Sequence, residues 1–170
     1  MKKLLSVMAG AVVLFSFSAG VSADRIAWVA NPYTFRLADV TKDSFAESIG
    51  EMTGQTLTEA DFTRNISVTD AIRHCVVSDN GVTYIFIEFP DDASADNYWT
   101  FEQSLTNGNG INYTNGDNGF IQEDTDYSYG AMYRSGNCIV SAWSSGDDAA
   151  SRARVDDFLM GMGLPEPSFL

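Results

Sequence analysis

The sequence predicts an α+β fold, with an antiparallel sheet of about five or six strands carrying helices mainly on one face. Three observations carry that expectation. Residues 71–89 hold two β-rich runs, AIRHCVVS and VTYIFIEF, separated by Asp79-Asn80-Gly81, and Asn-Gly is the strongest short hairpin signal. Residues 127–143 repeat the order, strand then Ser135-Gly136-Asn137 then strand. Each hairpin is followed by a stretch at helical spacing that opens on paired aspartates, Asp91-Asp92 and Asp147-Asp148, which suit the positive end of a helix dipole. The order reads as two β-hairpin–helix units, which duplication and coincidence explain equally well.

The elements follow from the N-terminus. Residues 1–23 have the three parts of a secretory signal: Lys2 and Lys3, an apolar run over 4–17, and Val21-Ser22-Ala23 as the small-residue cleavage site. The run is short for the ~20 residues of a membrane span, and no cysteine follows it for a lipid anchor. Cleavage after Ala23 leaves residues 24–170 as one globular domain without a stable membrane anchor, in the periplasm or secreted. Residues 25–30 (RIAWVA) suit a short strand, ended by Asn31-Pro32. Ser44-Phe45-Ala46-Glu47 fits a capping box, with Phe45, Ile49 and Met52 at helical spacing and Gly54 as the stop. Thr58-Glu59-Ala60-Asp61 offers a second, weaker helix start.

Residues 82–89 are almost continuously apolar, as in a strand covered on both faces, and Pro90 ends them. In the helix that follows, Tyr98, Phe101 and Leu105 read as the inner stripe, with Trp99 beside it and partly exposed. Residues 106–119 (TNGNGINYTNGDNG) hold four Asn-Gly pairs and read as an exposed, mobile loop, with Asn107, Asn109, Asn115, Asp117 and Asn118 as its polar side chains. In the last helix Val155, Phe158, Leu159 and Met162 fall at i, i+3, i+4 and i+7, and Gly163 and Pro165 end it.

Charge and cysteine usage narrow the function. Net charge is −13. Nucleic acid is excluded as a partner, because binding a polyanion rests on neutralising phosphates with Lys and Arg; an anionic membrane surface is disfavoured for the same reason. Cys75 and Cys138 are the only cysteines, and an exported chain makes one disulfide between them the expectation. In the chain-entropy picture a loop of that length stabilises by about 4 kcal/mol.

Catalytic sets are thin. His74 is the single histidine and lies beside Cys75 in a strand, so the two side chains point to opposite faces and His74 reads as solvent-facing. One histidine and two separated cysteines cannot make the usual structural zinc set. No register of the Asn/Gly-rich segment satisfies an EF-hand; a looser oxygen site would draw on Asp117, Glu123, Asp124 or Asp126. For paired-carboxylate chemistry the candidates are Glu88, Glu123, Asp124 and Asp126, and Glu88 reads more simply as the partner of an arginine. No phosphate loop or nucleotide fingerprint is present. The chain is therefore expected to work without metal or cofactor.

Tyr127, Tyr129 and Tyr133 share one strand face at period two. Such a row reads first as a face half buried under a helix, and second as a surface for a protein or a sugar ring. With the acidic run Glu123, Asp124 and Asp126 beside it, it is the best candidate contact surface. The function expected is that of an exported, non-enzymatic binding protein of inhibitor or immunity type, with an acidic surface for a cationic protein. The alternative is a small-ligand module that takes a glycan or wall fragment on its aromatics and Asn/Gly-rich loop.

Overall fold

The structure is a computed structural model and describes residues 40–105, 110–115, 118–146 and 148–164. The expected leader and the strand at residues 25–30 lie outside the described residues. Within them the chain is α+β: helices α1 (Lys42–Thr53) and α2 (Glu59–Thr63), strands β1 (Arg73–Asp79) and β2 (Val82–Glu88), helix α3 (Asp92–Leu105), strands β3 (Gly110–Asn115), β4 (Asn118–Asp124), β5 (Tyr129–Ser135) and β6 (Cys138–Ser144), and helix α4 (Ala149–Gly161). All strands join one antiparallel sheet in the order β1-β2-β6-β5-β4-β3.

Local chemistry sets the boundaries. The first helix starts three residues earlier than expected. Thr41 is its N-cap, accepting from the Ser44 N–H at 3.1 Å, while Ser44 Oγ accepts from the Thr41 N–H at 3.0 Å. Ser44 thus belongs to the box as its far partner rather than as its cap. Gly54 closes the helix at φ 72°, a left-handed position that glycine adopts without strain. In α2 the Asp61 carboxylate accepts from both the N–H and the hydroxyl of Thr58 at 2.7 Å. Asn80 and Gly81 both have positive φ, as a two-residue hairpin turn requires. Asp91 and Asp148 cap α3 and α4 by accepting from the Ser94 and Ser151 N–H groups at 2.8 and 2.9 Å.

The two sheet faces are covered differently. On the first, α1, α2 and α4 bring Phe45, Phe62 and Phe158 onto Tyr84 and Phe86 of β2, with ring centroids 4.7–6.1 Å apart. On the second, α3 alone packs Ala95 and Trp99 against Ile87, Phe89, Ile121, Met132 and Ile139. Three of the four described helices therefore share a face. Strand β2 lies between layers, which is why its apolar run is nearly unbroken. The hairpin–helix order does occur twice, β1-β2-α3 and β5-β6-α4. The axis that exchanges the neighbouring antiparallel strands β2 and β6 stands perpendicular to the sheet and would leave both helices on one face. They lie on opposite faces, so the two units are not related by that axis.

Four expectations are corrected. The disulfide does not form: Cys75 and Cys138 are both free. They share a face, but β2 runs between their strands, with Cys75 opposite Phe86 and Phe86 opposite Val140. Two strand spacings place the backbones about 10 Å apart, beyond the ~7 Å a disulfide spans. The hairpins are joined instead by the β2–β6 ladder. Burial pushes both thiols up to about 11, so neither is a ready nucleophile. Residues 106–119 do not form one long loop, since β3 and β4 occupy most of them and pair from Gly110↔Glu123 to Asn115↔Asn118. The stripe of α3 is rotated: Trp99 is buried, whereas Phe101 and Leu105 are 57% and 56% exposed. His74 is buried, covered by the segment before β1, and its Nδ1 lies 3.2 Å from Ser67 Oγ.

Candidate functional site

Helix α3 leaves part of its sheet face open. Its inward stripe reads Ala95, Tyr98, Trp99 and Glu102, at i, i+3, i+4 and i+7. The fourth position is a carboxylate, so the apolar contact ends there. Arg134 holds the other end of the helix. It is buried on β5, donates to Asp96 at 2.7 Å, to the Asp92 carbonyl at 3.0 Å and to the Gly136 carbonyl at 3.1 Å.

The open part is a cleft of about 210 Å³ lined by Glu102, Leu105, Ile121, Glu123, Ser128, Met132 and Trp143. Gly130 makes room for it. It lies between Glu123 of β4 and Trp143 of β6 in the ladder. A Cβ on Gly130 would lie 2.2 Å from the Ala142 carbonyl oxygen and 2.6 Å from the Trp143 ring. The indole thus covers a backbone that only glycine supplies here. Ile121, Met132 and Trp143 form an apolar floor, and Glu102 and Glu123 supply two carboxylates without a lysine or arginine among the lining residues. Glu102 accepts from the Tyr98 hydroxyl, and burial together with that carboxylate raises the Tyr98 phenol. Chemically the cleft suits a cation on an apolar stem: the stem on the floor, the head between the carboxylates, with the indole face adding cation–π attraction.

The sequence-derived contact residues are divided by the pleat. Glu123 faces the cleft, while Asp124 points to the three-helix side and pairs with Arg152 at 2.7 Å. Arg152 also stacks 4.4 Å over Tyr129, whose hydroxyl donates to Asp156 at 2.6 Å. Tyr129 and Tyr133 are fully covered, and Gln122 donates to the Tyr133 hydroxyl. Burial therefore removes both tyrosines from any contact surface. Asp126 and Tyr127 sit in the turn between β4 and β5, closed by Thr125 and Ser128, and Tyr127 is 86% exposed. Asn115 and Asn118 flank the β3–β4 connection; Asn107, Asn109 and Asp117 lie outside the described residues. Sequence reasoning missed Glu102, Trp143 and Met132. The signal for Glu102 was present, since the Ala95-Tyr98-Trp99-Glu102 stripe outranks the chosen one once Trp99 is placed inward.

Other chemistry has less support. Among the described residues no group of three or more metal-ligating side chains converges. Glu88 pairs with Arg73 at 2.7 Å. Nδ1 of His74 also accepts from the Ser67 backbone N–H at 3.5 Å, so that nitrogen ties a loop to β1, and neither residue lines this cleft. No family model, no curated protein and no solved structure matches this chain, so its function is read from the geometry.

Proposed function

We propose that the chain is an exported, non-enzymatic binding protein, periplasmic or secreted, of inhibitor or immunity type. Its acidic surface receives a cationic protein, and a lysine or arginine side chain of that partner enters the cleft. One observation carries the reading: Glu102 and Glu123 stand over an apolar floor with Trp143 and without a lining cation. The net charge of −13 adds long-range attraction for a basic partner. The leader-like residues 1–23 supply the route of export. The test is retention of basic proteins from a native extract on the immobilised chain. Retention is expected at low salt, with loss at roughly 0.5 M salt and in the Glu102→Gln/Glu123→Gln variant. Retention unchanged by both treatments overturns the reading.

A second reading is favoured by Tyr127, exposed beside Ser128 at the rim of the cleft. A ring so placed, with the Trp143 indole, offers stacking surface for a sugar of a glycan or wall fragment. A glycan array separates the two, since stacked sugar binding resists salt and the carboxylate double variant leaves it in place.

A further inference from the structure

We propose that the flank of α3 beside the carboxylate cleft is a docking ridge for a basic, amphipathic helix of the partner protein. The apolar row of that helix lies on Phe101 and Leu105, and its cationic side chain enters between Glu102 and Glu123. This docking mode rests on the proposed function and adds the partner's local structure to it. Tyr98, Phe101 and Leu105 recur at i, i+3 and i+7, so they form one row along the helix. Tyr98 is shared with the inward stripe: its ring lies 5.5 Å from that of Phe89 and its hydroxyl bonds Glu102. Phe101 and Leu105 belong to the outer row alone and are 57% and 56% exposed. Apolar surface of this kind, rimmed by polar residues, marks an interaction site. Leu105 also lines the cleft, so the ridge leads directly onto the floor of Ile121, Met132 and Trp143.

Charge sets the sign of the occupant. No lysine, arginine or histidine occurs between His74 and Arg134, a stretch that includes all of α3, β3 and β4 and carries both cleft carboxylates. Arg134 itself is buried, and Arg152 pairs with Asp124 on the three-helix side of the sheet. A second copy of this chain would bring the same acidic ridge and set a net charge of −13 against its equal. An anionic membrane would be repelled likewise. A basic partner is attracted to the ridge and to the cleft together.

Backbone chemistry sets the conformation of the occupant. The flank of a helix offers no backbone donors or acceptors, because its N–H and C=O groups are bonded along the axis. An extended segment laid on Phe101 and Leu105 would therefore press its own unpaired peptide groups against apolar side chains, which is costly. A helix satisfies its own backbone and packs a row of side chains into the groove beside the α3 ridge, with the axes about 8–10 Å apart. From Tyr98 to Leu105 the ridge rises about 10 Å, or two helical turns. A basic residue one turn beyond the last apolar contact of the partner helix then passes Leu105 and reaches Glu102 and Glu123, with its apolar stem on the cleft floor.

The test is fluorescence anisotropy with two dye-labelled synthetic peptides of identical composition and charge. One carries its leucines and arginines at helical spacing; the other has the same residues in scrambled order. The periodic peptide is expected to bind at least about tenfold more tightly, to gain helical circular dichroism on binding, and to weaken at roughly 0.5 M salt. Phe101→Ser should weaken it by about tenfold. Phe101 is exposed and does not line the cleft, so this variant keeps the fold, checked by circular dichroism, and leaves both carboxylates in place. Equal affinity of the two peptides, or a periodic peptide indifferent to Phe101→Ser, overturns the ridge alone. Failure of both peptides to bind overturns it as well. A periodic peptide that binds the Glu102→Gln/Glu123→Gln variant as tightly as the parent overturns the ridge and the cleft reading together, because its cation then stands elsewhere. Self-association of the chain, or binding to phosphatidylcholine vesicles, that disappears in Phe101→Ser identifies a different occupant and also overturns the proposal.

Discussion

The two faces of the sheet carry comparable aromatic bulk and use it differently. On one, three helices enclose Phe45, Phe62, Tyr84, Phe86 and Phe158, all fully covered. On the other, a single helix crosses the sheet, buries Trp99 early and arrives at Glu102 with nothing apolar to place there, leaving Trp143 partly open. The closed face supplies stability. The half-closed face supplies a cleft, because among the described residues α3 is the one helix that crosses that face of the six-stranded sheet.

The largest expected effect breaks the closed face. Phe158 touches Phe45 at 5.8 Å and Tyr84 at 4.7 Å, linking α4 to α1 and β2. Phe158→Ala should cost about 3–5 kcal/mol, as large aromatic truncations in packed cores do. Urea unfolding gives the number. A loss below about 1 kcal/mol would mean that the three-helix face is not the principal core.

A smaller effect addresses the anchor of the other face. Arg134→Met keeps bulk beneath α3 and removes the charge-assisted bond to Asp96 and the bonds to two carbonyls. The expected cost is about 2–3 kcal/mol, since hydrogen bonds to charged groups contribute more than neutral ones. Hydrogen exchange should accelerate along α3 while α1 and α4 keep their protection. Equal acceleration in all helices would show that the faces unfold together and do not differ in stability.

Much of the fold was legible, for reasons that can be named. Hairpins announced themselves through Asn80-Gly81 and Gly136, and α4 through four apolar residues at helical spacing. The departures have separate physical causes. Residues 110–115 read as loop because Asn and Gly dominate their composition, yet β4 offered an edge and pairing overrode propensity. The α3 stripe reads one notch away from its inward face because the last inward position is Glu102. An oxidising compartment and a pair of cysteines predict a disulfide, but neither reveals that β2 runs between their strands. At the site, Glu123 was found through its charge, whereas Trp143 depends on a glycine in a neighbouring strand, a relation visible only once register is known.

The smallest effect separates the faces by pH. Asp91 caps α3 and Asp148 caps α4, and the hydrogen bonds from Ser94 and Ser151 hold each carboxyl below the usual range. The folded chain therefore resists protonation that the unfolded chain accepts. Stability from these caps is complete above the unfolded carboxylate range and is lost as pH falls through and below about 4. Asn at either position keeps the capping oxygen and removes the titration. Asp148→Asn should flatten the acid limb of global stability, because α4 belongs to the face that governs unfolding. Asp91→Asn should instead alter the acid dependence of exchange in α3, with little change in the global midpoint. If both variants flatten the same global curve to the same degree, α3 is part of the cooperative core, and the cleft beneath it is as rigid as the aromatic cluster on the far side.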